Sequence, residues 1–579
     1  MNAHVPVLVV GAGPGGTTTA LFLRKFGVAA LVVEQGGEVI DHPRAHVINT
    51  RTMELFDYLG VGAAIRTAGL PSRALERIVY AQSLRAKPIT TLDACDVPCR
   101  RDDRLRASAS SWASIRQNHV DQVLRAQLTG RDGDLGIALH TRLVGLEQHH
   151  DGVVAYLEDV RSGARRVVNC DYLVAADGSR SCTRERVGIQ MRGPDEIMAI
   201  TGVYFDLDVE QALTRDLSMI TVLVNPDVPG VVISVDGRSR WMLHCPEVLI
   251  ATGNLADAAE KVVELATDLP PGTATVISTG RWSVSAQVAE TLRRGRVFLV
   301  GDAGHRFPPS GGYGLNTSVQ DAHNLAWKIA FVRRGIAPEF LLDTYDTERR
   351  PVAERNAAWS LSNINGGYAF GLGLIEAAQM VRRGGAEAAK AVELINADML
   401  THRSHFDSLG MDLGFGYEQG ALLCDEPAEQ ATPMEDVAEG YTYFPSARAG
   451  YRAPHVPLVR GEATISSAQL WLGQFTLVTS PAGRRWVEAA ESVAATGNIS
   501  LRSIVIGGEG DWSDPSNTWM SLYGIVEDGA LLIRPDGHVG WRAPTACADP
   551  AAALHRALRA CVGRTLEDQQ SSPPAVPHR

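Results

Sequence analysis

Residues Gly11-Ala12-Gly13-Pro14-Gly15-Gly16 stand between an apolar run at 5–10 and a segment of helical patterning that stops at Gly27. This strand–turn–helix arrangement limits the fold more than any other feature of the chain. Gly11 permits the tight turn, Gly13 lets a diphosphate approach the backbone, and Gly16 lets helix and strand pack closely. The 5–10 run lacks polar alternation, as expected of a strand buried on both faces. A second such run at 28–33 ends at Glu34, 23 residues after Gly11, with Gln35 next. An acid there can accept hydrogen bonds from a ribose diol, while the helix N-terminus carries about half a positive charge toward the anion. Glu34 and the helix favour an α/β dinucleotide-binding unit over a plain tight turn, without specifying which dinucleotide; Gly15 lies within the same turn.

The rest of the chain must accommodate that unit. At 579 residues it has room for three or four folding units. A net charge of −11 with no long basic run argues against a nucleic-acid binder, and 45% hydrophobic residues argue against a disordered scaffold. No apolar stretch reaches the roughly 18 to 20 residues of a membrane span, and the N-terminus lacks a basic signal region. Eight scattered cysteines suit reduced thiols, hence a cytoplasmic location. Cys95-x3-Cys99 has no second ligand pair, so no metal is expected.

Further buried strands at 172–176 and 296–300 end in Asp177-Gly178 and Gly301-Asp302. Between them, from about 190 to 290, short strands separated by Pro, Gly and Asp turns predict an inserted antiparallel sheet. The chain becomes helical from 318 to about 403. An acidic, base-free stretch at 425–439 reads as a linker, before a third unit over roughly 440–565 and a disordered tail.

With the glycine turn, Asp177-Gly178 and Gly301-Asp302-Ala303-Gly304-His305-Arg306-Phe307-Pro308-Pro309-Ser310-Gly311-Gly312-Tyr313-Gly314-Leu315-Asn316-Thr317 in view, the chain resembles the single-component FAD-dependent aromatic hydroxylases. Within that p-hydroxybenzoate hydroxylase-like class it is most similar to the phenol, 2,4-dichlorophenol and aromatic polyketide hydroxylases. The resemblance covers residues 1 to about 400 well and continues more weakly beyond. It implies a glutathione reductase-like α/β FAD-binding domain over 1–80, 105–190 and 285–400, and an inserted antiparallel substrate-binding sheet over 81–104 and 191–284. A linker at 401–440, a thioredoxin-like domain at 441–565 and a tail at 566–579 complete the expected organisation. The third unit has no Cys-x-x-Cys, so it would be redox-inert.

The resemblance also implies site residues. Asp302 would accept hydrogen bonds from the extended cofactor, and Gly312, Leu315 and Asn316 would present backbone at the flavin ring. A helix N-terminus there stabilises negative charge on reduced flavin. Pro309, rigid and lacking an N–H, suits the ring face where oxygen reacts. Arg44 and Gln117 would contact the cofactor, and the backbone at Leu143 its adenine. Asp177 is either a ligand or a turn former. His46 falls where the phenol hydroxylase branch has a carboxylate; its imidazole can accept a phenolic proton or orient the ring, or it is a hydrogen-bonded core histidine. Tyr204, Trp241 and His244 are the candidate substrate contacts on the inserted sheet.

The expected activity is hydroxylation of a phenolic or polyketide-derived aromatic, with transient NADPH or NADH reducing the flavin and O2 forming a C4a-hydroperoxide. Alternatives are Baeyer–Villiger-type or flavin oxidation of a polycyclic polyketide, or a binder of flavin or aromatics without turnover. The protein is expected as a monomer or homodimer.

Overall fold

The computed structural model describes residues 3–37, 46–93, 98–128, 136–247, 255–365, 372–401, 403–424, 440–496 and 499–563. Arg44, Cys95, the acidic stretch 425–439 and the tail after 563 lie outside the described residues.

Five parallel strands form the heart of the main sheet. Strand Ala3–Val10 lies between Arg165–Ala175 and Ala30–Val33, with Val297–Leu299 beyond the former and Ile137–Ala138 beyond the latter. Val7, Leu8 and Val9 are fully buried, which explains the unbroken apolar run: helices and further strands cover both faces. A meander of Thr141–Gln148, Val153–Asp159 and Arg165–Ala175 extends the layer, with His149 and Gly152 closing the first hairpin. All the parallel strands run toward one edge, where the glycine turn, Asp177 and Asp302 leave the sheet. Ligands of open α/β sheets bind at that edge.

A second sheet has seven strands, in the order Thr275–Val284, Met198–Asp206, Arg240–Pro246, Gly230–Ser234, Ile220–Leu223, Arg77–Ala81 and Thr90–Asp93. It is antiparallel except where Ile220–Leu223 meets Arg77–Ala81. Its two faces carry separate cores. Val203, Phe205, Leu207, Trp241, Leu243 and Cys245 pack with helix Leu255–Thr267. Tyr204, Val222, Ile233 and Met242 face the other way, among Val47, Trp112 and helices Leu372–Arg383 and Gly385–Thr401.

Two long helices follow the main sheet, Tyr313–Arg333 and Thr344–Asn365. The first is buried along nearly its whole length, because the last part of the chain covers the face it would otherwise show to water. That part holds a four-stranded sheet in the order Leu501–Val505, Phe475–Thr479, Ala530–Ile533, Val539–Ala543, and Phe475 packs edge-on against Trp327 and Phe331. Among the described residues no helix is long and apolar enough to cross a membrane.

Candidate active site

The glycine turn is shaped by backbone contact. Gly11 has φ +102°, and a Cβ there would lie 2.2 Å from the Ala176 carbonyl oxygen. A Cβ on Gly16 would lie 1.9 Å from the oxygen of Gly11. Gly13 differs: a Cβ there would meet nothing within 4 Å, so its outer side faces open space. Gly13 caps helix Pro14–Lys25 without a side-chain hydrogen bond, and no acid occupies the first turn. The helix N-terminus is therefore open to an anion. Glu34 braces the turn from the second strand, accepting from the N–H of Ala12 at 2.8 Å and of Gly36 at 2.7 Å. Gln35 is exposed beside it.

The other two motif segments meet the same turn. Asp177 follows Ala176, whose carbonyl touches Gly11. Its Oδ2 accepts from the N–H of Thr183 at 3.0 Å and the Thr183 hydroxyl at 2.8 Å. Its Oδ1 is buried without a hydrogen-bond partner. Ser318 of the long helix separates Gly15 from Gly301; an added Cβ on either glycine would come within 2.2 Å of the Ser318 hydroxyl. Three segments, around 11–16, 176–183 and 301–318, thus form one edge, with Asp302 exposed on it.

The long helix opens at Gly312 in the left-handed region, φ +67°, again with no side-chain cap and no acid in its first turn. Pro309 is exposed, and its carbonyl accepts from the Gly312 N–H at 3.1 Å. Leu315 and Asn316 are buried in the first turn. The Asn316 amide donates to the carbonyls of Gly312 at 2.6 Å and Val47 at 3.0 Å, and accepts from the Asn49 N–H at 2.9 Å. The side chain therefore clamps segment 47–49 across the helix end, whose first turn carries neither a side-chain cap nor an acid. Neither this clamp nor Ser318 was legible from local pattern.

His46 precedes that clamped strand. Its Nδ1 lies 3.2 Å from the Ser114 hydroxyl, and its carbonyl accepts from Ile115. Burial lowers its pKa to about 4, so the ring is neutral at physiological pH. Gln117 opens helix Gln117–Ala126, which reaches the glycine turn through Arg125, donating to the Ala12 carbonyl at 3.0 Å. Arg116, just before it, donates to the Tyr204 hydroxyl at 3.3 Å, linking this segment to the second sheet. Leu143 is a buried side chain beside an irregularity in its strand's register.

The structure divides the three sheet candidates. Tyr204 and His244 point to the face shared with Val47, opposite Met242 and Gly202 in register. His244 meets Trp282 edge-on, 5.0 Å between ring centres. Trp241 is corrected to the opposite face: it is 1% exposed in the core under helix Leu255–Thr267, and its indole donates to the Leu207 carbonyl at 2.7 Å. Side chains alternate along a strand, so Trp241 cannot share a face with its neighbour Met242.

The residues present fit an extended FAD. Two uncapped helix N-termini suit the diphosphate and the electron-rich edge of the ring, Glu34 suits a ribose, and the orphaned Asp177 oxygen marks a polar contact the protein does not complete.

Comparison with known proteins agrees. Residues 4–360 match the family model described as FAD binding domain, and residues 446–565 that described as aromatic-ring hydroxylase, C-terminal. Tetracenomycin B2 monooxygenase-dioxygenase of Streptomyces olivaceus is 33% identical over 587 residues, 97% of this chain and 99% of that protein. 2,4-Dichlorophenol 6-monooxygenase of Cupriavidus pinatubonensis is 30% identical over 597 residues, 98% of each chain. The flavin-dependent monooxygenase PieE, solved with FAD and substrate, has a TM-score of 0.89 at 28% identity, over 97% of this chain and 99% of its own. The ternary complex of aklavinone-11 hydroxylase with FAD and aklavinone has a TM-score of 0.79 at 31% identity, over 97% and 100%. With both parts of the chain matched and relatives aligned end to end, the protein belongs to the FAD-dependent aromatic-ring hydroxylases and is a flavin monooxygenase.

Proposed function

We propose that this monooxygenase hydroxylates a fused-ring, polyketide-derived phenol, with NADPH or NADH as transient reductant. The observation that carries the reading is the joining of the open Tyr313–Arg333 helix end to the apolar face of the second sheet, through Val47 and the Asn316 clamp. Bound FAD would supply the redox chemistry, accepting hydride and activating O2 so that one oxygen atom reaches the ring. The protein's own part is positional. The helix end stabilises negative charge at the flavin edge, and the apolar face around Tyr204 and Met242 keeps water from the reacting centre. Neutral His46 accepts a hydrogen bond from the phenol hydroxyl and so orients the ring, while its burial keeps the proton on the phenol. Pro309 forms a rigid rim beside it. Gly11, Gly13, Gly15, Gly16, Glu34, Gln35, Arg44, Gln117, Leu143, Asp177, Asp302, Gly312, Leu315 and Asn316 would hold FAD, and Tyr204 and His244 would meet substrate.

In this reading the seven-stranded sheet is the substrate domain, inserted into the FAD-binding domain, and strand Arg77–Ala81 moves its first boundary from 81, as given above, back to 77. The parallel pair Phe475–Thr479 and Leu501–Val505, joined across helix Arg484–Thr496 and extended by an antiparallel hairpin, supports a thioredoxin-like third domain.

The test is direct. Purified protein should be yellow, and a panel of mono- and polycyclic phenols should stimulate NAD(P)H oxidation, with one atom of labelled O2 retained in the product. Protein that is colourless and cannot be reconstituted with FAD refutes the reading. Ring expansion in the product points to Baeyer–Villiger chemistry, and absence of turnover with every aromatic points to a binder.

A further inference from the structure

Buried charge is concentrated where the C-terminal sheet meets the two long helices. The Glu348 carboxylate accepts from the Asn324 amide at 2.7 Å, from Lys328 Nζ at 2.7 Å, from both terminal nitrogens of Arg534 at 2.8 Å, and from the Ala421 N–H at 2.8 Å. Arg534, just past strand Ala530–Ile533, also holds Asp536, through Nε at 3.1 Å and Nη2 at 2.5 Å. All four charged side chains are essentially inaccessible. Lys328 and Arg534 balance Glu348 and Asp536. Without Arg534, one lysine would face two buried carboxylates, and a buried charge without its partner is strongly destabilising.

The next residue along the same helix reaches the flavin edge. Arg349 donates through Nε to Asp321 at 2.8 Å. The other Asp321 oxygen accepts from the Gly301 N–H at 3.3 Å and pairs with His305 Nε2 at 2.9 Å. Gly301 and His305 bracket Asp302, the exposed acid on the cofactor edge. Arg349 also approaches the Tyr417 hydroxyl at 3.5 Å, and Tyr417 stacks on His538, just before strand Val539–Ala543 of the C-terminal sheet, ring centres 4.5 Å apart. Adjacent residues of one helix therefore hold the C-terminal sheet on one side and the 301–305 loop on the other.

We propose that Arg534 is a positioning residue for the flavin site: by fixing Glu348 it fixes Arg349, and through Asp321 the loop carrying Asp302. The third domain is then a working part of the cofactor site, a role that rests on the FAD reading for its purpose but not for its mechanics. Fully charged, two-pronged contact is the feature that matters, because a guanidinium bonds two carboxylates in a fixed geometry that an ammonium cannot reproduce.

The experiment compares full-length wild type with Arg534→Met and Arg534→Lys. It reads amide exchange across 301–320 in FAD-free protein, and FAD affinity by flavin fluorescence. Arg534→Met should speed exchange at 301–305 and the first turns of helix Tyr313–Arg333 about tenfold, and weaken FAD about tenfold. Arg534→Lys should recover part of both. A role confined to docking would speed exchange in the C-terminal strands alone, and folded Arg534→Met with wild-type exchange across 301–320 overturns the proposal. If Arg534→Met does not fold, Arg534→Lys carries the test: unchanged exchange at 301–305 overturns it, and an intermediate increase supports it. Wild type that binds no FAD would refute the functional reading while the exchange comparison still stands.

Discussion

Gly13→Ala and Gly16→Ala differ by one methyl each, three residues apart, and should fail in opposite ways. At position 16 the new Cβ would sit 1.9 Å from the Gly11 oxygen, where ordinary contact begins at 3.4 Å, so helix Pro14–Lys25 must retreat by about 1.5 Å. Overpacking of that kind costs about 1–3 kcal/mol, and the target is immovable backbone, so the upper end applies. At position 13 the methyl meets nothing, and φ −74° suits alanine. Loss of a favourable capping residue and gain from a stiffer unfolded chain roughly cancel there, leaving stability within about 0.5 kcal/mol of wild type. The methyl does, however, fill the space before the open helix end. A diphosphate pushed away from those N–H groups forfeits one charge-assisted hydrogen bond, about 2 kcal/mol, or roughly thirtyfold in FAD dissociation constant. Urea unfolding of the FAD-free proteins gives the stabilities, and quenching of flavin fluorescence on binding gives the affinities. Gly13→Ala with wild-type FAD affinity would show that the diphosphate does not lie at this turn, and the assignment of the whole edge would fall with it.

Trp241→Phe should lower stability by about 1–3 kcal/mol through a lost indole bond and a small cavity, with KM for the aromatic unchanged. Tyr204→Phe, on the other face, should alter KM or the coupling of NAD(P)H use to product; steady-state kinetics of both separate the faces, and a KM effect from Trp241→Phe would contradict the register. Asp302→Ala should raise the FAD dissociation constant about thirtyfold, the loss of one bond to a charged group, and full flavin occupancy after extensive dialysis would refute that role. Glu54 offers a pH test. Burial alone would raise its pKa, but Arg452 and Arg51, with hydrogen bonds from Arg452 and Ser108, hold it at about 2. A depressed carboxylate contributes stability above its unfolded pKa and loses it as pH falls, here between 4.5 and about 2, on the order of 3 kcal/mol in all. Glu54→Gln should be less stable at pH 7 and show an acid slope shallower by about one proton in urea titrations; an unchanged slope would show that Glu54 is not held ionised.

How much of this was legible beforehand follows from the range over which each feature is encoded. The glycine turn, Glu34, Asp177 and the Gly301–Asn316 stretch are local patterns, and each sits at a strand end that its own sequence announces. The four strands of the second sheet between Met198 and Pro246 could also be read, though not Arg77–Ala81, Thr90–Asp93 or Thr275–Val284, and their facing could not: Trp241 and Tyr204 are both aromatic strand residues, and only cross-strand register assigns them to opposite sides. Helix Tyr313–Arg333 hid its partners for another reason. It is buried on nearly all sides, so it lacks the one-sided apolar stripe from which a packing face is inferred, and Asn324 and Lys328 look like residues meant for water. Their common partner Glu348 lies 24 residues from Asn324 and 20 from Lys328, and Arg534, which completes the cluster, lies 186 residues from Glu348, a pairing no local rule could supply. The Asn316 clamp on Val47 and Asn49 was missed on the same grounds.

The strict alternation of the second sheet has a practical consequence for altering which molecules this protein accepts. Tyr204, Val222, Met242 and His244 can be varied together as a library, because their neighbours in sequence, not they, carry the opposing core, whereas Gly202 must stay small because a Cβ there would lie 2.9 Å from the Trp282 ring. A single inserted or deleted residue in any of those strands would do the reverse, exchanging the two sets at once and emptying both layers. Natural diversification of such an enzyme should therefore proceed by replacements at every second position, with length changes confined to the turns.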